Sequence, residues 1–241
     1  QIYSPSGIRI ARGTSLSRNR LFLEGKIEVQ DESSQILSFL VDAKRGMMVA
    51  DFCAGAGGKS LAIGAIMKNT GRIYAYDISE KRIINLGKRL KKSGLSNLFA
   101  QKIKNEKDAK LKKLHGKFDR VLADVPCSGT GTFRRNPDLK WKNSIQDLDE
   151  LNLKQLAILE EAKKLVKKEG RLIYSTCSLL KRENGLIVES FLEKNKNFKI
   201  ISANDILIKN QISLSTGVFL ELTPHKQKTD GFFAAVLERT D

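Results

Sequence analysis

Residues 46–67, GMMVADFCAGAGGKSLAIGAIM, decide the fold. MMVADF is a short apolar run with an acid near its end, the length of a buried strand rather than of a helix. A glycine-rich loop, Cys53 to Gly58, follows it directly. Apolar residues at helical spacing from about Lys59 to Met67 then predict a helix that begins on that loop.

The same strand–helix alternation continues outward. Arg72–Tyr76 reads as a second strand closed by Asp77, and Ser79-Glu80 open a helix that Gly94 stops. LFAQKI, residues 98–103, is a third strand, and Phe118–Val125 is a fourth with the near-continuous apolar run of a strand covered on both faces. A loop spans 126–144. A long helix is expected from Ile145 to Lys168, ended by Gly170. Arg171–Ser175 is a fifth strand, 182–194 another helix, and Phe198–Ser202 and Phe232–Leu237 the last strands. Repeated alternation predicts an α/β, Rossmann-like fold: a mostly parallel seven-stranded sheet with helices on both faces. Residues 1–45, basic and mixed in period, read as a small N-terminal extension packed on a catalytic domain at 46–241 and contacting its substrate.

Composition narrows the class. The chain has 241 residues, 41% of them apolar, enough for one large core. No stretch of some 18 apolar residues suggests a membrane helix, and QIYSPSGIRIARG has no apolar run of a signal peptide. The net charge of +16, from 43 Lys and Arg against 27 Asp and Glu, points to a polyanionic partner. Three cysteines, Cys53, Cys127 and Cys177, are too few and odd in number for a disulfide framework, which argues for a reducing, cytoplasmic compartment. No CxxC pair is present, and His115 and His225 read as bystanders, so no metal site is expected. A monomer is the default expectation.

In parallel sheets ligands bind beyond the carboxyl ends of the strands. At the first such end lies D51-F-C-A-G-A-G-G-K59, where Gly55, Gly57 and Gly58 allow close backbone approach at a helix N-terminus. Asp77 ends the second strand twenty residues after Gly57, where an acid can bond both hydroxyls of a ribose. A structural tight turn and a dinucleotide site are the alternatives. Ser60 stands where GxGxxG needs its last glycine, and no GxxxxGK[ST] phosphate loop exists. An uncharged loop with an acid opposite suits an adenosine-bearing sulfonium better than a pyrophosphate.

Two further strand ends carry reactive groups. The fourth ends D124-V-P-C-S-G-T-G131 and the fifth Y174-S-T-C-S178. A lone cysteine is ordinarily a small buried hydrophobe, and Cys53 keeps that reading beneath the glycine loop. Cys127 and Cys177, with Asp124, instead offer a nucleophile and an acid–base group at one sheet edge.

DFCAGAGGKS, DVPCSGTGTFRRNPDLKW, YSTCSLLKREN and TDGFFAAVLER together resemble the Sun/Nop (Fmu/RsmB-like) family of RNA cytosine-5 methyltransferases, from about Gly25 to Arg239. The resemblance implies a class I methyltransferase fold and S-adenosylmethionine as cofactor. It implies methyl transfer to carbon 5 of a cytosine in RNA, ribosomal RNA first and transfer RNA second. Cys177 would be the nucleophile, Cys127 would help release the product, and Asp124 would touch the base and the methyl donor. In DNA cytosine methyltransferases the Pro-Cys cysteine attacks, which leaves Cys127 as the alternative nucleophile. Cys53, Ala54, Gly55, Ala56, Gly57, Gly58, Lys59, Asp77 and Arg82 would line the cofactor pocket, with Asn105 standing where an adenine-binding Asp is expected and Asp108 slightly later. Ala56 replaces the usual Pro, and Gly185 the last acid of a Glu-Asn-Glu. A non-catalytic RNA binder, a nicotinamide dehydrogenase and an amino-methyltransferase fit less well. The intact Cys177, Cys127 and Asp124, the incomplete glycine pattern and the Pro126-Cys127 loop oppose them in turn.

For RNA, Arg134 and Arg135 suit phosphates, and Lys140 with Trp141, or Phe133, offers charge and a stacking surface, against the alternative of Trp141 in the core. Scattered lysines predict salt-sensitive, largely sequence-neutral affinity.

Overall fold

The computed structural model describes residues 3–11, 13–141 and 144–241. In chain order the elements are α1 (Arg20–Leu23), α2 (Glu32–Leu40), β1 (Met48–Asp51), α3 (Gly58–Ile66), β2 (Arg72–Asp77), α4 (Glu80–Ser93), β3 (Leu98–Lys102), α5 (Ala109–Lys112), β4 (Phe118–Asp124), α6 (Ile145–Leu165), β5 (Val166–Thr176), α7 (Gly185–Lys194), β6 (Phe198–Ile201), α8 (Ala203–Lys209), β7 (Leu220–Leu222), α9 (Pro224–Gln227) and β8 (Phe232–Arg239). Short 3₁₀ turns lie at Thr130–Thr132, Pro137–Trp141 and Lys181–Glu183.

The sheet runs β3-β2-β1-β4-β5-β8-β6, the seven strands expected, and an eighth, β7, pairs with β8 at Ala234–Phe232. β1 to β5 pair in parallel, while β8 runs antiparallel to β5, β6 and β7. The order reverses between β1 and β4, so a crevice opens beyond their carboxyl ends.

Period-two alternation builds both faces. Val49, Leu122, Ile173, Ala234 and Val236 face a core closed by α2, α3, Leu86 of α4, and α8. Their neighbours Ala50, Val121, Ala123, Leu172, Tyr174, Phe233 and Ala235 face one closed by α6 and α7. Where the central strands are buried on both sides their sequence is continuously apolar, as at Val121–Ala123 and Leu172–Tyr174. Local signals mark the helix starts and stops. Asp31, Ser79, Ser144 and Ser202 cap α2, α4, α6 and α8, and Gly94 ends α4 at φ 71°.

One boundary differs from expectation. α6 stops at Leu165 and β5 begins at Val166, so Gly170 lies inside the strand rather than after the helix. Val166 is buried and already pairs with Phe118, and tertiary pairing overrides the helical propensity of the lysines. Glycine is required there for space: a Cβ on Gly170 would sit 2.8 Å from the Lys167 carbonyl oxygen and 3.0 Å from that of Phe118.

The segment ahead of α2 lies, in its described residues, on α2 and α4. The Tyr3 and Ser4 amides donate to Glu32, Arg89 pairs with Glu28 at 2.9 Å, and Lys92 stacks over the Phe22 ring at 3.9 Å. A cleft of about 1340 Å³ runs beneath it from Ile8 to Gly58, Arg134 and Lys228. Among the described residues no helix is long and apolar enough to cross a membrane.

Candidate active site

The glycine loop leaves β1 and turns into α3. Gly55 and Gly57 adopt φ +57° and +82°, and a Cβ on Gly57 would meet the Leu86 side chain at 2.5 Å. Gly57 caps α3 without a side chain, so the helix N-terminus faces the crevice with only backbone. A Cβ on Gly55 would meet nothing within 4 Å, so the space above the loop is open. Asp77, at the end of β2, accepts from the Gly55 amide at 2.9 Å and the Ser79 amide at 2.8 Å, with Arg82 3.5 Å away. Beneath the loop Asp51 is buried. Its Oδ2 accepts from Ser60 Oγ at 2.6 Å and its Oδ1 has no hydrogen-bond partner. Burial, with the nearby Asp124 and Asp77 charges adding to it against the Ser60 hydrogen bond, pushes this carboxyl up to about 7. An uncharged glycine cradle, a ribose-height acid and a buried carboxyl oxygen without a hydrogen-bond partner together fit a ligand with an adenosine end.

Cys53 packs against the core, and burial pushes its thiol well up. Ala54 and Ala56 are backbone elements of the same loop: the Ala54 amide donates to the Tyr76 carbonyl and the Ala56 carbonyl accepts from Arg89. Asn105 is exposed and its side chain accepts from the Lys107 amide. Asp108 caps α5 and accepts from the Lys110 and Lys104 amides.

Lys59 takes a place that spacing did not suggest. Its ammonium lies 2.6 Å from Asp124 Oδ2 and 5.1 Å from the Phe232 ring centroid. Burial pulls the ammonium down, but the Asp124 carboxylate more than offsets this and the pKa is raised. Asp124 Oδ1 accepts from Ser175 Oγ at 2.9 Å, so both oxygens of this carboxylate are oriented by neighbours.

The two strand-end cysteines meet. Cys127 Sγ and Cys177 Sγ are 3.3 Å apart, both as free thiols. The hydrogen bond from Cys127 lowers the Cys177 thiol, outweighing its burial, and the same contact with burial raises Cys127. The contact thereby favours the thiolate at Cys177 over Cys127. A third loop closes over them: the Gly131 amide donates to the Cys177 carbonyl at 2.9 Å, and the Gly231 amide to the Gly131 carbonyl at 2.8 Å.

Beyond the thiols, Arg134 and Arg135 both pair with buried Asp230, and Arg134 also reaches Asp31 at 3.5 Å. Both guanidiniums remain half exposed. Trp141 is 82% exposed, so it is not a core residue, and the Lys140 ammonium lies 5.1 Å from its ring centroid. A side chain at Gly185 would meet nothing within 4 Å, so glycine there costs no packing. Among the described residues no cluster of three His, Cys, Asp or Glu could hold a metal ion.

A profile of the family described as "16S rRNA methyltransferase RsmB/F" matches residues 38–238. The chain belongs to the RsmB/F family. Similar curated proteins include the probable ribosomal RNA small subunit methyltransferase B of Bacillus subtilis, 32% identical over 237 residues and covering 96% of this chain and 52% of that protein. The ribosomal RNA small subunit methyltransferase B of Photorhabdus laumondii is 34% identical over 238 residues, covering 98% and 52%. The chain thus spans about half the length of these RsmB/F relatives. Among solved structures, NSun6 from Pyrococcus horikoshii with SFG aligns at a TM-score of 0.81 and 26% identity, covering 95% of this chain and 57% of that one. A methyltransferase homolog protein from the same organism aligns at 0.76 and 28%, covering 94% and 72%. A SAM dependent methyltransferase from Aquifex aeolicus, 17% identical with a TM-score of 0.55, shares the fold.

In the sequence Asp51 and Glu183 belong to motifs but carry no assigned role, and Ser175, Gln155 and Asp230, which also shape this site, do not stand out. Asp51 lies between Ala50 and Phe52 at the end of β1, which signals burial but not its partner, whereas Gln155 lies within α6 and Glu183 and Asp230 lie among polar neighbours, where no local pattern signals burial.

Proposed function

We propose that this chain carries the catalytic domain of an S-adenosylmethionine-dependent RNA methyltransferase acting on carbon 5 of a cytosine, in ribosomal RNA rather than transfer RNA. The observation that carries the reading is the 3.3 Å contact of Cys127 and Cys177 beside the Lys59–Asp124 pair, with Cys177 the thiol of lowered pKa. S-adenosylmethionine, when bound, supplies an electrophilic methyl group. Gly55 to Gly58, Asp77 and Arg82 would hold it, with Asp51 beneath.

Carbon 5 of cytosine is a poor nucleophile. Addition of the Cys177 thiolate at carbon 6 makes it enamine-like, and ring nitrogen 3 takes up a proton in the same step. Asp124 is the group to face that nitrogen, and the Lys59 ammonium against it is the proton reservoir. After methyl transfer solvent water takes the carbon 5 proton, and that C–H electron pair re-forms the carbon 5–carbon 6 double bond as the carbon 6–sulfur bond breaks. Cys177 leaves as thiolate, and nitrogen 3 returns its proton to the Lys59–Asp124 pair. Cys127, in contact with that sulfur, is placed to assist release. The base must be unpaired or flipped to reach the thiol. Arg134, Arg135, Lys140 and exposed Trp141 rim the approach and would bear on phosphates and a stacked base.

The test is incubation with methyl-labelled S-adenosylmethionine and total RNA from cells lacking the gene, followed by mapping of 5-methylcytosine. Label at discrete cytosines of ribosomal RNA is expected. No label in any RNA class, with a protein that binds the cofactor, refutes the proposal.

A further inference from the structure

Glu183 is wholly buried, yet among the described residues the side chains that meet its carboxylate carry no positive charge. Four neutral donors reach it. Oε1 accepts from the Ser128 amide at 2.8 Å and from Gln155 Nε2 at 3.0 Å. Oε2 accepts from Ser128 Oγ and Ser178 Oγ, each at 2.5 Å. A buried carboxylate is costly unless its lone pairs are filled, so the sites of those donors matter. Ser128 follows Cys127 and Ser178 follows Cys177, and Gln155 also donates to the carbonyl of Pro126, before Cys127. The next residue repeats the pattern. Asn184 accepts from Thr176 Oγ1 at 2.6 Å and donates to the Ser178 carbonyl at 3.0 Å. The residues on both sides of both cysteines are therefore tied to Glu183, Asn184 or Gln155. The two serine hydroxyls are also 3.1 Å from each other.

We infer that Glu183 is a positioning residue that joins the Cys127 and Cys177 loops and sets the sulfur-to-sulfur contact between them. The inference rests on the proposed reading of these thiols as the reacting pair. An acceptor-only group is needed because four donors converge on one side chain. A glutamine amide would turn an N–H₂ toward one pair of them. The charge has a second consequence: the Glu183 carboxylate adds to the forces that raise Cys127, which keeps that thiol protonated and donating to Cys177.

The test reads sulfur proximity without RNA. Diamide oxidises two adjacent thiols to a disulfide, and their two hydrogens and two electrons reduce its N=N bond to a hydrazine. Mass spectrometry follows the Cys127–Cys177 crosslink in the whole chain. In Glu183→Gln we expect crosslinking, and trapping on 5-fluorocytosine RNA, to slow by roughly ten- to a hundredfold, the scale set by a displacement of about 1 Å. Cofactor affinity and KM for RNA stay near wild type. If Glu183→Gln does not fold, Ser178→Ala and Ser128→Ala each remove one tie and are expected to slow crosslinking less. A folded Glu183→Gln that crosslinks at the wild-type rate overturns the inference, as does slowing that only tracks thermal unfolding across the variants. If wild type crosslinks and the variant does not, while no RNA is ever trapped, the clamp stands and the methyltransferase reading fails.

Discussion

Replacing Cys127 with alanine removes the hydrogen bond that lowers the Cys177 thiol, and its size follows from the contact. The sulfurs are 3.3 Å apart, and the hydrogen bond from Cys127 is the largest cause of the Cys177 shift, ahead of burial, which acts the other way. A hydrogen bond to a charged acceptor contributes about 1.5–3 kcal/mol, and a thiol is a weak donor, so the lower end applies. One pKa unit corresponds to about 1.4 kcal/mol. Cys127→Ala is therefore expected to raise the Cys177 thiol and to cut its thiolate fraction about tenfold at pH well below the wild-type midpoint. The assay is the rate of iodoacetamide labelling of the Cys177 peptide against pH, read by mass so that Cys53 does not contribute. The titration midpoint should move to higher pH with the alkaline plateau retained, and Cys127→Ser, which keeps a donor, should fall between. A midpoint that stays put or moves down refutes the assignment of Cys127 as donor. On RNA the same variant should form its adduct more slowly yet accumulate it in a form resistant to denaturant, whereas Cys177→Ala should form none. The reverse pattern would make Cys127 the nucleophile.

Asp51 holds its proton in the folded state up to about pH 7, whereas its ordinary value is 3.8. Between these values the unfolded chain binds fewer protons than the folded one, so stability falls as pH rises through that window, by up to about 4 kcal/mol in all. Asp51→Asn should flatten the slope of the thermal midpoint against pH from about 4 to 7, and an unchanged slope would show that Asp51 is not its source. Gly131→Ala should cost about 1–3 kcal/mol in chemical denaturation, because its Cβ would lie 2.2 Å from the Gly231 carbonyl oxygen and 2.8 Å from that of Cys177. A wild-type midpoint would mean that these loops part freely.

The alternation of short apolar runs with amphipathic stretches was enough to establish the α/β architecture and the glycine cradle, because both depend on local periodicity and backbone freedom. Gly55, Gly57, Asp77, Asp124, Cys127 and Cys177 were legible for the same reason: each sits at a strand's carboxyl end, and strand ends can be read from the chain. The boundary at Val166 and the strand Leu220–Leu222 were not legible, since pairing with Phe118 and with Phe232–Ala234 decides them. Nor was the core reading of Trp141 separable from the exposed one until its neighbours were in place.

The sequence by itself determined that two thiols and a carboxylate share one sheet edge. Only the tertiary structure decided that the thiols touch, that Lys59 is held by Asp124, and that Glu183 receives both cysteine loops. The physical reason is distance along the chain. Cys127 and Cys177 are separated by 50 residues, and Lys59 and Asp124 by 65. Contacts of that span are set by strand order and register, which no local pattern encodes.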